Sequence, residues 1–431
     1  MLKLVTIFVV LVAATLAVHD KFRVEFQWKY INVTWPSEDA RLAALQNEEY
    51  IPENNAIAGI KLWKHRMYLT VPRWKNGVPV TLGVTSATPQ NNVTAPNLEP
   101  YPNWEMQKVG NCKAFQFVQS MEIDPKGRMW VLDTGRTATM TLEAKARCTP
   151  RLVILDLEND GKVLRSYEFP ENVAPKESAY LNDIVLDHRE GGIAYITDNG
   201  KEDPGIIIYF LQNNTSWKFR HESTNAEPEF TGFMVANTRV TESVHVDGIA
   251  LSPASASDRL VYYTPLSSLH FYSVPTSVLI NRTETAGDYV RELGRRTSQT
   301  DGIAMSATGV LYYGLIADDA IAAWDTKQSD ALMQTVISRD HRLTQWPDTF
   351  AFDEEGYLWC VTNSLQNFIN NKVNISVPNY RIIKSQNGGL KSYQYFENGT
   401  APELPYIAAG ASQITFAFAS CLTILLVSII Q

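Results

Sequence analysis

The chain has 431 residues, of which 45% are hydrophobic and 19% charged, and this composition excludes a disordered or fibrous polymer. Its formal charge is −8 and it contains no block of basic residues, which argues against a nucleic-acid-binding protein and favours a cationic ligand. The length allows two or three ordinary domains or one large all-β domain, so the pattern along the chain must decide between them.

Residues 1–17 have the pattern of a secretory signal peptide. Lys3 precedes an apolar run, and small residues place a cleavage site near Ala17. A buried N-terminal helix is the alternative interpretation. Asn-x-Ser/Thr sequons also fit a secreted glycoprotein, because each needs an accessible loop and passage through the secretory route. The sequons are at Asn32, Asn92, Asn213, Asn214, Asn281, Asn374 and Asn398.

One pattern recurs through the chain: a polar residue, an apolar alternation, a turn, and a second run rich in β-branched and aromatic residues. Each copy predicts a β-hairpin, and the spacing of 47 to 65 residues leaves room for two more strands. The last five copies are clear, and the first is weaker. The copies begin at Ala58, Gln119, Asn182, Asp247, Asp301 and Asp348.

The repeat predicts that residues 18–400 form one all-β domain, a six-bladed β-propeller with four-stranded blades around a central cavity. Residues 22–35 alternate well but have no copy of their own. We therefore expect them to add a strand to the last blade beside Tyr380–Ser385, which removes the exposed sheet edges. A tandem of β-sandwiches is the alternative fold.

Residues 401–431 form a spacer and an apolar tail. Residues 414–430 are uncharged and of borderline length for spanning a bilayer, so we expect a lipid-anchor signal or a membrane stub. Cys421 lies in this tail and Cys360 in a predicted strand, which leaves Cys112 and Cys148 as the predicted disulfide.

The motifs at residues 130–136 (WVLDTGR) and 246–252 (VDGIALS), with Cys112 and Cys148, resemble the insect yellow and major royal jelly protein family. The resemblance extends over residues 22–396. It implies a secreted six-bladed propeller with a central ligand cavity. It also implies a role among those of the family: pigmentation of cuticle and eggshell, conversion of dopachrome in melanin synthesis, binding of biogenic amines, or nutrition.

Equivalent residues at the starts of the repeats should converge on the propeller axis. Because three of them are carboxylates, this ring should attract an amine or a metal ion, although Asp before Gly or Thr is also typical of a turn cap. Aromatic and polar neighbours would orient an aromatic amine by stacking, cation–π contact and hydrogen bonding. The predicted ligand-binding residues are Asn182, Asp247, Asp301, Asp348, Thr349, Asn363, Phe230 and Phe350.

Two alternatives assign other chemistry to these positions. Short segments resemble lactonase-type propellers, in which Asn182, Asp247 and Asp301 would be oxygen ligands for calcium in a hydrolase. His245 lies two residues before Asp247, and this pair would supply the acid and base of an isomerase. The motifs of serine hydrolases, zinc peptidases and nucleotide-binding proteins are absent from the sequence.

We therefore expect a secreted or cell-surface protein that binds a catechol- or indole-type molecule and acts in melanin pigmentation or cuticle maturation. A dopachrome-converting isomerase, which needs no redox cofactor, is the first alternative. A metal-dependent hydrolase and a structural matrix protein are the others.

Overall fold

The computed structural model describes residues 21–328 and 333–407. The predicted signal peptide and the apolar run at residues 414–430 lie outside the described residues. Among the residues that the structure does describe, no helix has the length and hydropathy needed to cross a membrane.

Six four-stranded antiparallel sheets form the blades of a β-propeller, which confirms the predicted fold. Blades 1 to 3 contain Ile60–Trp63, Arg66–Thr70, Leu82–Ser86 and Glu99–Pro100; Val118–Ile123, Arg128–Asp133, Arg151–Asp156 and Lys162–Glu168; and Leu181–Asp187, Ile193–Asp198, Gly205–Phe210 and Thr215–Phe219. Blades 4 and 5 contain Val246–Leu251, Leu260–Pro265, His270–Pro275 and Arg291–Arg295; and Ile303–Met305, Val310–Leu315, Ala320–Asp325 and Thr335–Arg339. Blade 6 contains Pro347–Phe352, Leu358–Asn363, Tyr380–Ser385 and Phe22–Trp28.

The two inner strands of every blade are the hairpins predicted from the repeat. In blade 3, all six residues of Ile193–Asp198 are buried, because both faces of an inner strand pack against neighbouring blades. The outer strand Lys162–Glu168 of blade 2 is instead largely exposed. β-Branched and aromatic residues therefore concentrate in the second strands, such as Arg128–Asp133, Ile193–Asp198 and Leu358–Asn363, which are completely buried.

The N-terminal strand closes the ring. Phe22–Trp28 pairs antiparallel with Tyr380–Ser385 as the outermost strand of blade 6. This is the pairing expected from the alternating segment that has no repeat copy. The pairing joins the N-terminal strand to the last repeat, so that blade 6 has four strands like the other blades.

Short helices and two small sheets lie in the segments that connect the strands of the propeller. The α-helices are Glu38–Gln46, Thr276–Ile280 and Leu365–Ile369, and the 3₁₀-helices are Pro52–Asn54, Trp104–Gln107, Leu157–Asn159, Glu222–Thr224, Pro228–Phe230, Ala286–Tyr289 and Ile316–Asp318. Two small sheets pair Arg136–Thr137 with Lys145–Ala146 and Met234–Val235 with Thr238–Arg239. Cys112 and Cys148 form the predicted disulfide, with their Cα atoms 5.5 Å apart, and Cys360 is a buried free thiol.

A segment that we call the strap, residues 391–407, crosses the face at which the innermost strands end. Tyr393 donates its backbone N–H to the Met305 carbonyl, and its hydroxyl accepts from Leu186 N at 2.8 Å. Farther along, Arg128 donates to the Pro405 carbonyl at 2.6 Å, and Ile407 is buried in the core of blades 2 and 3. The strap therefore covers one end of the propeller axis.

Candidate functional site

The innermost strands share an irregularity at the position that carries polar residues. A β-bulge or register shift falls between Val118 and Met121, between Leu181 and Ile184, between Val246 and Ile249, and between Pro347 and Phe350. It therefore recurs at the same repeat position in blades 2, 3, 4 and 6. A bulge interrupts the alternation of side chains and re-aims them, which is common beside functional sites.

Four carboxylates lie together at this level, and we call them the axial carboxylate cluster: Asp183, Asp247, Asp301 and Asp348. Asp247 Oδ2 accepts a hydrogen bond from Asn182 Nδ2 at 2.8 Å and one from Asn199 Nδ2 at 3.3 Å. Asp247 also shares a side-chain hydrogen bond with Asp301. These contacts join side chains of blades 3, 4 and 5 across the axis.

The remaining contacts of the cluster come from blade 6 and the chain just before it. Trp346 donates its indole N–H to Asp301 Oδ2 at 2.8 Å. Asp348 accepts from Asn363 Nδ2 at 2.8 Å and from the Thr349 hydroxyl at 3.1 Å. These three donors are neutral, so they hold Asp301 and Asp348 in place without supplying a positive charge.

The electrostatics of the cluster are dominated by burial and mutual repulsion. Burial and then the charge of Asp301 raise the pKa of Asp247 and of Asp348 well above the usual range of Asp. Burial also raises the pKa of Asp301 to about 6. Within residues 21–328 and 333–407, no Lys, Arg or His nitrogen forms an ion pair with Asp247, Asp301 or Asp348. The site therefore favours a proton or a cationic ligand.

A cavity of about 250 Å³ lies on the axis between the cluster and the strap. The fourth residue of each repeat contributes to its wall. In blades 3 to 6 these residues are small and apolar, which leaves the space open, whereas blades 1 and 2 place opposite charges there. The six residues are Lys61, Glu122, Val185, Ala250, Ala304 and Ala351.

The charged residues that blades 1 to 3 contribute to the cavity are Lys61, Glu122 and Asp183. Asp353, Glu354 and Lys391 also line it, where the strap contacts blade 6. Lys61 Nζ donates to Glu122 Oε2 at 3.1 Å. Burial raises the pKa of Glu122 and of Asp183, while the nearby Lys61 ammonium lowers both. Asp183 also accepts from the Ser120 hydroxyl at 3.0 Å. This side of the cavity thus combines an ammonium group with two carboxyl groups whose pKa values are raised.

The structure divides the predicted ligand-binding residues into three groups. Thr349 and Phe350 line the cavity, on the blade 6 side. Phe230 lies apart, with its ring centroid 4.9 Å from the Arg295 guanidinium and 6.0 Å from the His270 ring. The other residues, Asn182, Asp247, Asp301, Asp348 and Asn363, are buried in the hydrogen-bonded cluster beneath the cavity.

The residues predicted for catalysis and metal binding have other partners. His245 Nδ1 accepts from the Ala226 backbone N–H at 3.0 Å, and burial, followed by the Lys201 charge, lowers the pKa of His245. Of the three residues predicted to bind calcium, Asn182 donates a hydrogen bond from its amide nitrogen to Asp247. Among the described residues, no group of three or more His, Cys, Asp or Glu side chains has the arrangement of a metal site.

The predicted glycosylation sequons lie at the surface. Asn92, Asn213, Asn281, Asn374 and Asn398 are exposed, and Asn32 and Asn214 are partly exposed. Each is therefore open to a modifying enzyme, at least in part.

Lys61, Glu122 and Asp183 are not among the site residues predicted from the sequence, although the repeat contains a signal for the first two. Aligning the copies puts Lys61 and Glu122 at one position, at which the other blades have Val185, Ala250, Ala304 and Ala351. A pair of opposite charges at an otherwise apolar repeat position indicates a site. Asp183 follows the polar residue that starts its copy, and only the bulge shows that it also faces the axis.

The chain is similar in sequence to a described family and to several known proteins. The family model described as Major royal jelly protein matches residues 116–394. Dopaminechrome tautomerase of Drosophila melanogaster is 26% identical over 388 residues, covering 85% of this chain and 82% of that protein. Major royal jelly protein 7 of Apis mellifera is 27% identical over 390 residues, covering 84% of each. Protein yellow of Drosophila melanogaster is 28% identical over 376 residues, covering 84% of this chain and 68% of that protein.

Proposed function

This chain belongs to the major royal jelly protein family, and we propose that it binds a small catechol- or indole-derived amine in the propeller cavity. The observation that carries the proposal is the two-sided wall of the cavity. Glu122 and Asp183 are on the side of blades 2 and 3, and the side of blades 4 to 6 consists mainly of apolar residues, including Phe350, although Asp353 and Glu354 also line the cavity there. An aromatic amine has the same two-sided chemistry, with a cationic end and a flat apolar ring.

The axial carboxylate cluster supports a cationic end. Asp183 lines the cavity, and its charge contributes to the raised pKa values of Asp247, Asp301 and Asp348 behind it. Several buried carboxylates without a basic partner raise one another's free energy in the ionised form. A ligand ammonium at Asp183 would offset that repulsion, and a hydrogen bond to a charged group contributes about 1.5 to 3 kcal/mol.

The opposite wall supports an aromatic body. Ile249, Ile303, Met305 and Phe350 contribute apolar surface from blades 4, 5 and 6. Burying a ring against such residues contributes about 25 cal/mol for each Å² of apolar area removed from water. The strap would then screen the bound ring from solvent.

We place the protein outside the cell, acting in melanin pigmentation or cuticle maturation. The disulfide between Cys112 and Cys148 supports an oxidising compartment. The surface position of the sequons is consistent with secretion. Similarity to Protein yellow of Drosophila melanogaster supports the pigmentation role.

Titration calorimetry of the purified protein with dopamine and serotonin tests the proposal. We expect saturable binding that Asp183→Asn weakens at least about tenfold, because the variant removes the charge that faces the ammonium. Asp288→Asn, at an exposed position of blade 4, is the matched control and should bind as the wild type does. Binding of calcium alone would instead favour the hydrolase, and no binding at all would favour a matrix protein.

A dopachrome-converting isomerase is the second candidate, and the cavity itself favours it. Glu122 and Asp183 have raised pKa values and lie beside the Lys61 ammonium, as proton transfer near neutral pH requires. The relative named Dopaminechrome tautomerase supports the same chemistry. Conversion to a dihydroxyindole is a tautomerisation that moves protons from ring carbons to ring oxygens, so it needs no oxidant or reductant.

The loss of dopaminechrome absorbance tests this candidate. If the cavity carboxyls move the proton, Glu122→Gln and Asp183→Asn should each reduce turnover by two orders of magnitude or more, as about 10²- to 10⁴-fold is typical of a general acid or base. If the pair expected from the sequence acts instead, His245→Ala or Asp247→Asn should cause the loss. Amine binding without turnover in the wild type would rule out the enzyme.

A further inference from the structure

The six innermost strands of the propeller contain one basic residue, Lys61. Equivalent positions in blades 3 to 6 are occupied by Val185, Ala250, Ala304 and Ala351. A blade of this propeller therefore does not require a long charged side chain at this position for its own packing. The reason for Lys61 must lie in what it faces.

Lys61 faces the cavity while it is paired with Glu122. The Lys61 side chain is 16% exposed and that of Glu122 8%, and both line the cavity. Burying an ion pair costs desolvation energy that its own attraction often fails to recover, and an apolar pair of similar volume is often at least as stable. Stability alone is thus a weak reason to keep this pair.

The pair retains hydrogen-bonding capacity toward the cavity. An ammonium group has three N–H donors, and the bond to Glu122 Oε2 uses one of them. In the part of the chain that the structure describes, no second acceptor lies within hydrogen-bond distance of Lys61 Nζ. The site therefore offers free donors from Lys61 directly beside the acceptor oxygens of Glu122.

We propose that Lys61 and Glu122 recognise the ring oxygens of the ligand, so that the cavity selects catechols and ortho-quinones over aromatic amines that lack ring oxygens. This inference rests on the proposed function and narrows it. A catechol presents an acceptor and a donor on neighbouring carbons, which complements an adjacent ammonium and carboxylate. An ortho-quinone presents two acceptors, which the free N–H groups of Lys61 satisfy.

The spacing of the polar groups along the axis fits such a ligand. Asp183 is at the second position of its repeat, and Lys61 and Glu122 are at the fourth position of theirs. Asp183 accepts a hydrogen bond from Ser120, also at the second position, whereas Glu122 pairs with Lys61 at the fourth. The polar groups thus lie at two levels of the repeat, so that one molecule would present its ammonium to Asp183 and its ring oxygens to Lys61.

Affinity measured for dopamine, tyramine and phenethylamine tests the inference, because these amines differ in having two, one and no ring oxygens. In the wild type we expect dopamine to bind about tenfold or more tightly than phenethylamine, with tyramine between them. The double variant Lys61→Met with Glu122→Gln removes both charges together, so that neither is left buried and unpaired. It should lose the preference for dopamine while keeping the affinity for phenethylamine.

The matched control is the exposed pair of Glu105 and Lys108, whose side chains lie 2.8 Å apart. Glu105→Gln with Lys108→Met removes the same two charges outside the cavity and should leave the preference unchanged. A thermal melt of each variant confirms that it is folded.

The possible failures are distinct. Equal affinity for dopamine and phenethylamine in the wild type would overturn this inference and leave amine binding intact. A preference for dopamine that survives in the folded Lys61 and Glu122 double variant would also overturn it. No binding of any of the three amines would overturn the proposed function and this inference together.

Discussion

Trp346 donates its indole N–H to Asp301 at 2.8 Å, and Asp301 in turn shares a side-chain hydrogen bond with Asp247. The indole stabilises the ionised form of Asp301, but burial outweighs it and raises the pKa of Asp301 to about 6. Asp301 is thus a carboxyl group in the interior that changes its charge close to physiological pH. Two consequences of that titration are measurable.

The first consequence concerns stability. The unfolded-state pKa of Asp is about 3.9, so the folded chain holds the Asp301 proton more tightly than the unfolded chain does. The free energy of unfolding should then fall as the pH rises from about 4 to about 6, because in this range Asp301 is ionised in the unfolded state and still protonated in the folded state. Lowering the pH from 7 to 5 should recover about 1 kcal/mol through this residue.

Urea unfolding at pH 5 and pH 7 checks that expectation. Asp301→Asn keeps an acceptor for Trp346 but does not titrate, so this variant should gain less stability on acidification than the wild type does. It should also be the more stable of the two proteins at pH 7. Identical pH dependence in the two proteins would contradict the assignment of the titration to Asp301.

The second consequence concerns the ligand. Dopamine keeps its ammonium charge between pH 5.5 and pH 7.5, whereas Asp301 takes up a proton as the pH falls through about 6. Loss of this negative charge should weaken dopamine binding severalfold at pH 5.5, since the attraction of the cluster for a cation is reduced. Calorimetry at the two pH values measures the change, which should be smaller in Asp301→Asn.

The disulfide should make a large contribution to stability. Cys112 and Cys148 are 36 residues apart, and closing a loop of that size stabilises a fold by roughly 3 to 4 kcal/mol on the chain-entropy model. Replacing both with Ala should lower the free energy of unfolding by about that amount. A reductant should weaken the wild type similarly and leave the double variant unchanged. Equal stability of the two proteins without reductant would contradict the expectation.

Gly302 should not tolerate a side chain. A Cβ atom at this position would lie 2.4 Å from the Asp348 carbonyl oxygen, which belongs to the neighbouring innermost strand. Gly302→Ala should therefore push blades 5 and 6 apart and destabilise the protein by about 2 kcal/mol or more. In Gly287→Ala, the control, the new atom would meet the His221 side chain instead of backbone. The control should lose less, and equal losses would count against the role of Gly302.

Much of the fold was predictable from the sequence because each repeat has its own local signals. The copy starting at Asn182 contains alternating apolar residues and then the β-branched and aromatic run Ile193–Asp198, so its hairpin is determined by short-range pattern. Closure was also predictable, since residues 22–28 alternate as a strand and have no partner of their own.

The site was less predictable because it depends on departures from that regular pattern. Simple alternation puts Asn182 and Asp183 on opposite faces of a strand, and the register shift before Ile184 removes this constraint. Burial likewise decides which polar residues form the cavity wall. Thr349 and Phe350 line it, whereas the first polar residues of the repeats are enclosed in a hydrogen-bonded cluster.

The closing strand also sets an order of events during synthesis. Phe22 pairs with Ser385, so the outermost strand of blade 6 emerges from the ribosome hundreds of residues before its partner. At 5 to 20 residues per second, this wait lasts on the order of tens of seconds to a minute. Until then, the N-terminal strand presents an unpaired edge of the kind that chaperones protect from aggregation. The ring therefore closes only after its last blade has been made, and the cavity is complete no earlier than that.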